Sequence, residues 1–157
     1  MTVLVDTGPI VALLNGRDNY HDWAKATAAG LDAPVYTCEA VMAEAHHLLS
    51  GVHDGSRQLN ALVDSGRLHV SFRYIDYARR VHELMSKYAN VPMSFADACL
   101  FTLSETLGDA RVFTIDEDFT IYRRKRNRRL DLIMPRSPLV STAARAAARR
   151  SGDVTRA

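Results

Sequence analysis

The sequence predicts a single α/β domain with a central parallel sheet of about four to five strands and helices on both faces. Three observations carry that expectation. Short β-rich apolar runs alternate with amphipathic stretches, turn residues separate them, and 157 residues at 47% hydrophobic and 24% charged suit one core. Parallel strands need long crossovers, and intervening helices supply them.

The elements follow in order. Val3-Leu4-Val5 reads as a buried strand ended by Asp6-Thr7-Gly8-Pro9, where Gly permits a tight turn and Pro suits a first helical turn, so a helix is predicted from about Pro9 to Leu14. His21 to Ala29 reads as a helix closed by Gly30, and Val35-Tyr36 as a short strand entered from Pro34. Thr37 is the expected cap of the next helix, in which Val41, Ala45, Leu48 and Leu49 recur at helical spacing before Gly51. Glu44 then lies beside that apolar stripe.

Ser56 to Val63 is predicted helical, Leu68 to Phe72 extended, and Asp76 to Tyr88 helical, with Ala78, Val81, Leu84 and Met85 on one face. A helix from Ser94 to Gly108 carries Asp97 in its first turn, and a strand over Arg111 to Ile115 delivers Asp116. The last strand candidate is Leu130 to Met134, stopped by Pro135. The domain is expected over 1–136. Beyond it, 137–157 is Ala/Arg-rich with few large apolar residues and reads as a flexible tail.

Composition narrows the function classes. Apolar stretches such as Ile10 to Leu14 fall far short of a membrane span, and no basic lead precedes an apolar core and cleavage site, so a cytoplasmic location away from membrane is expected. Cys38 and Cys99 sit inside apolar segments and read as buried reduced thiols. The net charge of +2 conceals an asymmetry: residues 1–122 carry 9 Lys/Arg against 16 Asp/Glu, a net of −7, whereas 123–157 carry 11 against 2, a net of +9. The densest run holds Arg123, Arg124, Lys125, Arg126, Arg128 and Arg129. Guanidinium groups pair with phosphate bidentately and displace counterions, which makes these six residues candidates for nucleic-acid contact; the alternatives are a solvated charged turn or a segment that neutralises the acidic body within the chain or in a partner.

Four carboxylates stand at or near the ends of apolar elements: Asp6, Glu44, Asp97 and Asp116. In a parallel sheet such ends converge at one edge. Each also has a bland explanation to overcome. Asp6 suits an Asx-type turn, Ser94 to Asp97 matches a capping box, and one of Asp116, Glu117 and Asp118 suits a cap on a short helical turn. Glu44 has the weakest such explanation. Other chemistries lack their residues: His46-His47 belong to no HExxH string, and neither a Gly-x-Ser-x-Gly elbow nor a phosphate loop is present.

The strings VDTGPI, CEAVMAEAHHLL, MSFADACL and VFTIDEDF, in that order, make the chain resemble the PIN-domain ribonucleases, most closely the toxins of type II, VapBC-like toxin–antitoxin pairs. The resemblance covers roughly Val3 to Pro135. It implies that Asp6, Glu44, Asp97 and Asp116 are the catalytic, metal-binding acids, with Thr7 a polar neighbour, Thr114 the strand hydroxyl and Asp118 an auxiliary acid. It further implies RNA cleavage to a 5′-phosphate and 3′-hydroxyl, a cognate antitoxin and a homodimer. The chemistry agrees: hard Mg²⁺ or Mn²⁺ takes carboxylate, water and phosphate oxygens. In a two-ion arrangement Asp6 and Asp97 are expected to hold or bridge the principal ion, Asp116 to complete the site, and Glu44 to orient water or a second ion. Two rival readings are a cleavage-deficient PIN-like RNA-binding module and an aspartate-nucleophile phosphatase; the second lacks its paired acid, since position 8 is Gly.

Overall fold

Backbone hydrogen bonding along the apolar runs draws five short strands into one sheet. The computed structural model describes residues 1–136, so the expected tail at 137–157 lies outside the described residues. The strands are β1 (Thr2–Val5), β2 (Val35–Thr37), β3 (Leu68–Val70), β4 (Ala110–Phe113) and, last in the chain, β7 (Asp131–Ile133), in the spatial order β3-β2-β1-β4-β7. All pair in parallel. Thr2 to Val5 align with Ala110 to Phe113 on one side of β1, and Leu4 aligns with Tyr36 on the other. Val3, Leu4, Val5, Val112 and Phe113 are buried, as expected of strands covered on both faces.

Among the described residues six helices complete the layers: α1 (Thr7–Leu14), α2 (His21–Ala29), α3 (Glu39–Leu48), α4 (Gly55–Asp64), α5 (Tyr74–Lys87) and α6 (Phe95–Thr106). The chain steps outward from β1 through β2 to β3, then returns past β1 to β4. α6 packs against both α5 and α3, and α3 in turn against α1. Arg80 joins the returning pair: Nε and Nη2 donate to the two Glu105 carboxylate oxygens, both at 2.8 Å, linking α5 to α6.

Several expectations shift on folding. The first helix starts at Thr7 rather than Pro9, since Asp6 caps it. Thr37 is not a helix cap. It ends β2, and its hydroxyl donates to the Val5 carbonyl at 2.9 Å, so Cys38 becomes the N-cap without a side-chain bond. On α3, Leu49 rather than Leu48 joins Val41 and Ala45 in the core, and Leu48 is 51% exposed. The strand predicted to reach Phe72 stops at Val70, and the last strand is trimmed to Asp131–Ile133. The arginine run itself forms a small antiparallel ribbon, β5 (Arg123–Arg124) with β6 (Arg128–Arg129), turned through Arg126 and Asn127, both at positive φ.

Candidate active site

β1 and β4 lie side by side at the point where the chain reverses its direction across the sheet, and such switch points open a crevice beyond the carboxyl ends of the strands. Asp6 follows β1 and Thr114 follows β4, both at that edge. α6 returns to β4 from the same edge, which brings its first turn, with Asp97, to the crevice.

A line of hydrogen bonds connects these positions. Asp6 Oδ1 accepts from the Thr7 N–H at 2.7 Å and Oδ2 accepts from the Thr114 hydroxyl at 2.8 Å. The Thr114 hydroxyl accepts from the Asp116 N–H at 3.0 Å, and Asp116 Oδ1 accepts from the Asp118 N–H at 2.9 Å, capping the 3₁₀ turn Glu117–Thr120. Asp97 completes a capping box: its Oδ2 accepts from the Ser94 N–H at 3.2 Å while its own N–H donates to Ser94 Oγ at 3.0 Å. The Tyr122 hydroxyl donates to the same Oδ2 at 3.1 Å. Each of the three aspartates therefore serves a helical start as well as the crevice.

Their electrostatics show what the local caps do not explain. Burial pushes the Asp6 carboxyl up to about 7, against the bonds from Thr114 and Thr7, and the charges of Asp97 and Asp116 push the same way. Asp97 is raised as well, first by burial and further by Asp116, while hydrogen bonds from Ser94 and Tyr122 oppose the shift. Three carboxylates thus feel one another across the crevice, two of them buried. Caps alone need no such clustering.

Thr7 adds a second sign of a missing partner, because its hydroxyl is buried and unpaired in a side chain only 4% exposed. An unsatisfied buried oxygen beside clustered carboxylates fits a hard divalent cation with its waters. Among the described residues no three His, Cys, Asp or Glu side chains are drawn close enough to hold an ion by themselves. The donor set suits Mg²⁺ or Mn²⁺, which keep several waters and take few protein ligands.

The structure brings together Asp6, Asp97, Asp116, Thr114 and, through its backbone, Asp118. It does not draw Glu44 into that set. Glu44 lies on the exposed side of α3, about 7.5 Å along the helix from its first residue. Its charge is not among those raising Asp6 or Asp97.

The basic run divides into two groups. Arg124 Nη1 donates to the Gly108 carbonyl, and Nη2 to those of Ser104 and Ala110, so this guanidinium satisfies carbonyls at and beyond the end of α6. Arg123 Nη1 is turned onto the Thr120 and Tyr122 carbonyls. Lys125, Arg126, Arg128 and Arg129 are exposed. Replacing Arg124 with Met should lower unfolding stability by about 1–3 kcal/mol, through carbonyls left unpaired, as denaturant titration would show.

A PIN-domain family model matches residues 3–127. The chain belongs to the PIN-domain family. No match to a curated protein sequence is found. The PIN domain is similar in structure to VapC20 of Mycobacterium tuberculosis, described as a sarcin–ricin loop cleaving toxin: TM-score 0.70 and 26% identity, over 76% of this chain and 94% of that one. The expected parallel α/β architecture and the VapC-like resemblance are thereby borne out. No helix among the described residues is long and apolar enough to cross a membrane.

Sequence patterns left Tyr122 unnoticed. Its partner lies 25 residues away, and the local run Phe119, Ile121, Tyr122 does not show which of these side chains is buried, since Ile121 is exposed.

Proposed function

We propose that this PIN domain is a metal-dependent endoribonuclease, the toxin of a type II toxin–antitoxin pair acting in the cytoplasm. The observation that carries the reading is the meeting of Asp6 and Asp97 at the sheet's switch point, both raised by burial and by the nearby charge of Asp116. Asp6, Asp97 and Asp116 would hold Mg²⁺ or Mn²⁺, with Glu44 and Asp118 as outlying acids. When bound, such an ion supplies water activation and neutralises charge on the scissile phosphate. The chain's own residues set the geometry. The Thr7 N–H and Thr114 hydroxyl fix both oxygens of Asp6, and Thr114 passes that orientation to the Asp116 backbone. Thr7 Oγ1, buried without a partner, would be available to bond a coordinated water.

RNA approaches an acidic body, so something cationic must hold its backbone. The exposed Lys125, Arg126, Arg128 and Arg129 of the ribbon serve that role, whereas Arg124 is committed to α6. A cognate antitoxin and a second copy of the chain are the proposed protein partners, supported by the description of VapC20 as a toxin.

The test is cleavage of a structured RNA by the purified chain in Mg²⁺ and in EDTA. Cleavage that needs Mg²⁺ and leaves 5′-phosphates supports the proposal; equal cleavage in EDTA, or RNA binding without cleavage, refutes it. The triple change Arg126→Gln, Arg128→Gln, Arg129→Gln should weaken RNA binding and flatten its salt dependence. Each lost phosphate contact removes about 0.7–0.9 from the slope of log K against log salt. Metal affinity measured without RNA should stay as in the wild type.

A further inference from the structure

We propose that Tyr122 is a positioning residue for the acid site, its buried hydroxyl fixing the Asp97 carboxylate and tying the segment that carries Asp116 to the helix that carries Asp97. This rests on the assignment of Asp97 as a metal ligand.

The ring is held on several sides. Tyr122 is fully buried, and Tyr88, Phe101 and Phe119 all meet it edge-to-face, at centroid distances of 5.0, 6.2 and 5.3 Å. These neighbours come from the end of α5, from α6, and from the 3₁₀ turn after Asp116. A ring gripped by three elements cannot swing, so its hydroxyl is a fixed point. That hydroxyl donates to Asp97 Oδ2, the oxygen that also accepts from the Ser94 N–H. Two donors converging on Oδ2 fix the orientation of the Asp97 carboxylate.

The same residue roots the cationic ribbon. Arg123 follows it directly, and the Arg123 N–H donates to the Tyr88 hydroxyl at 2.8 Å, while the Tyr88 ring packs on Tyr122. Acid site and ribbon therefore hang from one aromatic cluster. Outer partners that orient a ligand typically hold about 10–100-fold of metal affinity.

Tyr122→Phe keeps the ring and removes the one hydroxyl, and far-UV circular dichroism and thermal melting would confirm that it folds. The probe is Mn²⁺ alone, titrated by electron paramagnetic resonance into wild type, Tyr122→Phe, Asp97→Asn and the double variant without RNA. The expected result is that Asp97→Asn loses the site, Tyr122→Phe raises the Mn²⁺ dissociation constant about tenfold, and the hydroxyl makes no further difference once Asp97 is gone. A residue with only a packing role would leave Mn²⁺ affinity unchanged while lowering the melting temperature. Unchanged affinity in Tyr122→Phe, with Asp97→Asn defective, overturns the role of Tyr122 and leaves the metal reading standing. Wild-type affinity in Asp97→Asn overturns the ligand assignment and this proposal with it.

Discussion

Asp6→Asn should abolish RNA cleavage while making the metal-free chain more stable at neutral pH. Loss of an outer partner alone costs about 10–100-fold in affinity or activity, so loss of a central carboxylate should cost at least the upper end of that range. The stability gain follows from burial. The Asp6 side chain sits in a residue 5% exposed, and burial pushes its carboxyl up to about 7, with Asp97 and Asp116 adding to the shift and the Thr114 and Thr7 bonds opposing it. A group whose folded pKa lies above its unfolded value favours the fold when protonated. That contribution is fully present below the unfolded value near 3.8 and disappears as pH rises through about 7. The metal-free wild type should therefore lose on the order of a few kcal/mol between pH 4 and pH 7. In Asp6→Asn much of that decline should vanish, because the amide does not ionise. Saturating Mg²⁺ should also offset it in the wild type, since a cation favours the ionised acid. Melting curves across pH, with Mg²⁺ and with EDTA, provide the measurement; parallel pH profiles for wild type and Asp6→Asn would contradict the account.

Gly8→Ala should cripple the enzyme from a position that carries no functional group. A Cβ at position 8 would lie 2.5 Å from Ile115 Cγ1 and 2.9 Å from Cδ1, too close for either atom to stay in place. Overpacking of this kind costs about 1–3 kcal/mol. The consequence for activity is larger than for stability, because Ile115 immediately precedes Asp116, and relieving the clash displaces that acid from Asp6. Ile115→Ala leaves only Cβ, at 3.9 Å from the added methyl, so the double variant should recover much of the lost activity. Cleavage rates and unfolding free energies of the two single variants and the pair form a double-mutant cycle. Simple additivity would show that Gly8 and Ile115 do not meet as described.

β1 and β4 were legible because a strand covered on both faces reads as an apolar run, and the capping box at Ser94 and Asp97 was legible because its partners are three residues apart. Thr37 misled for the opposite reason. Its hydroxyl has a local use as a cap and a tertiary use on the Val5 carbonyl 32 residues away, and the tertiary one prevailed. Leu48 and Leu49 both satisfy a helical stripe within its angular tolerance, and only packing selected Leu49. The arginine run looked uniform. Carbonyls at Ser104, Gly108 and Ala110 single out Arg124, and no periodicity in a seven-residue polar segment announces such distant acceptors. Acids at element ends are legible as a set, but which of them share a hydrogen-bonded line depends on strand order. Pairing of β1 with β4 sets Asp6 beside Thr114, whereas Glu44 is exposed on α3 and bonds to neither.

The pairing of β1 with β4 also fixes when activity can first exist. Val5 aligns with Phe113, so the central strand acquires its second neighbour only after more than a hundred further residues have been added. During synthesis from the N-terminus, Asp6 waits as an ordinary carboxylate in an unfinished sheet. A nascent chain still short of β4 lacks Thr114 and Asp116 altogether, and no earlier segment can substitute for them. Assembly of the crevice therefore has to wait until β4 and the residues that follow it have been made.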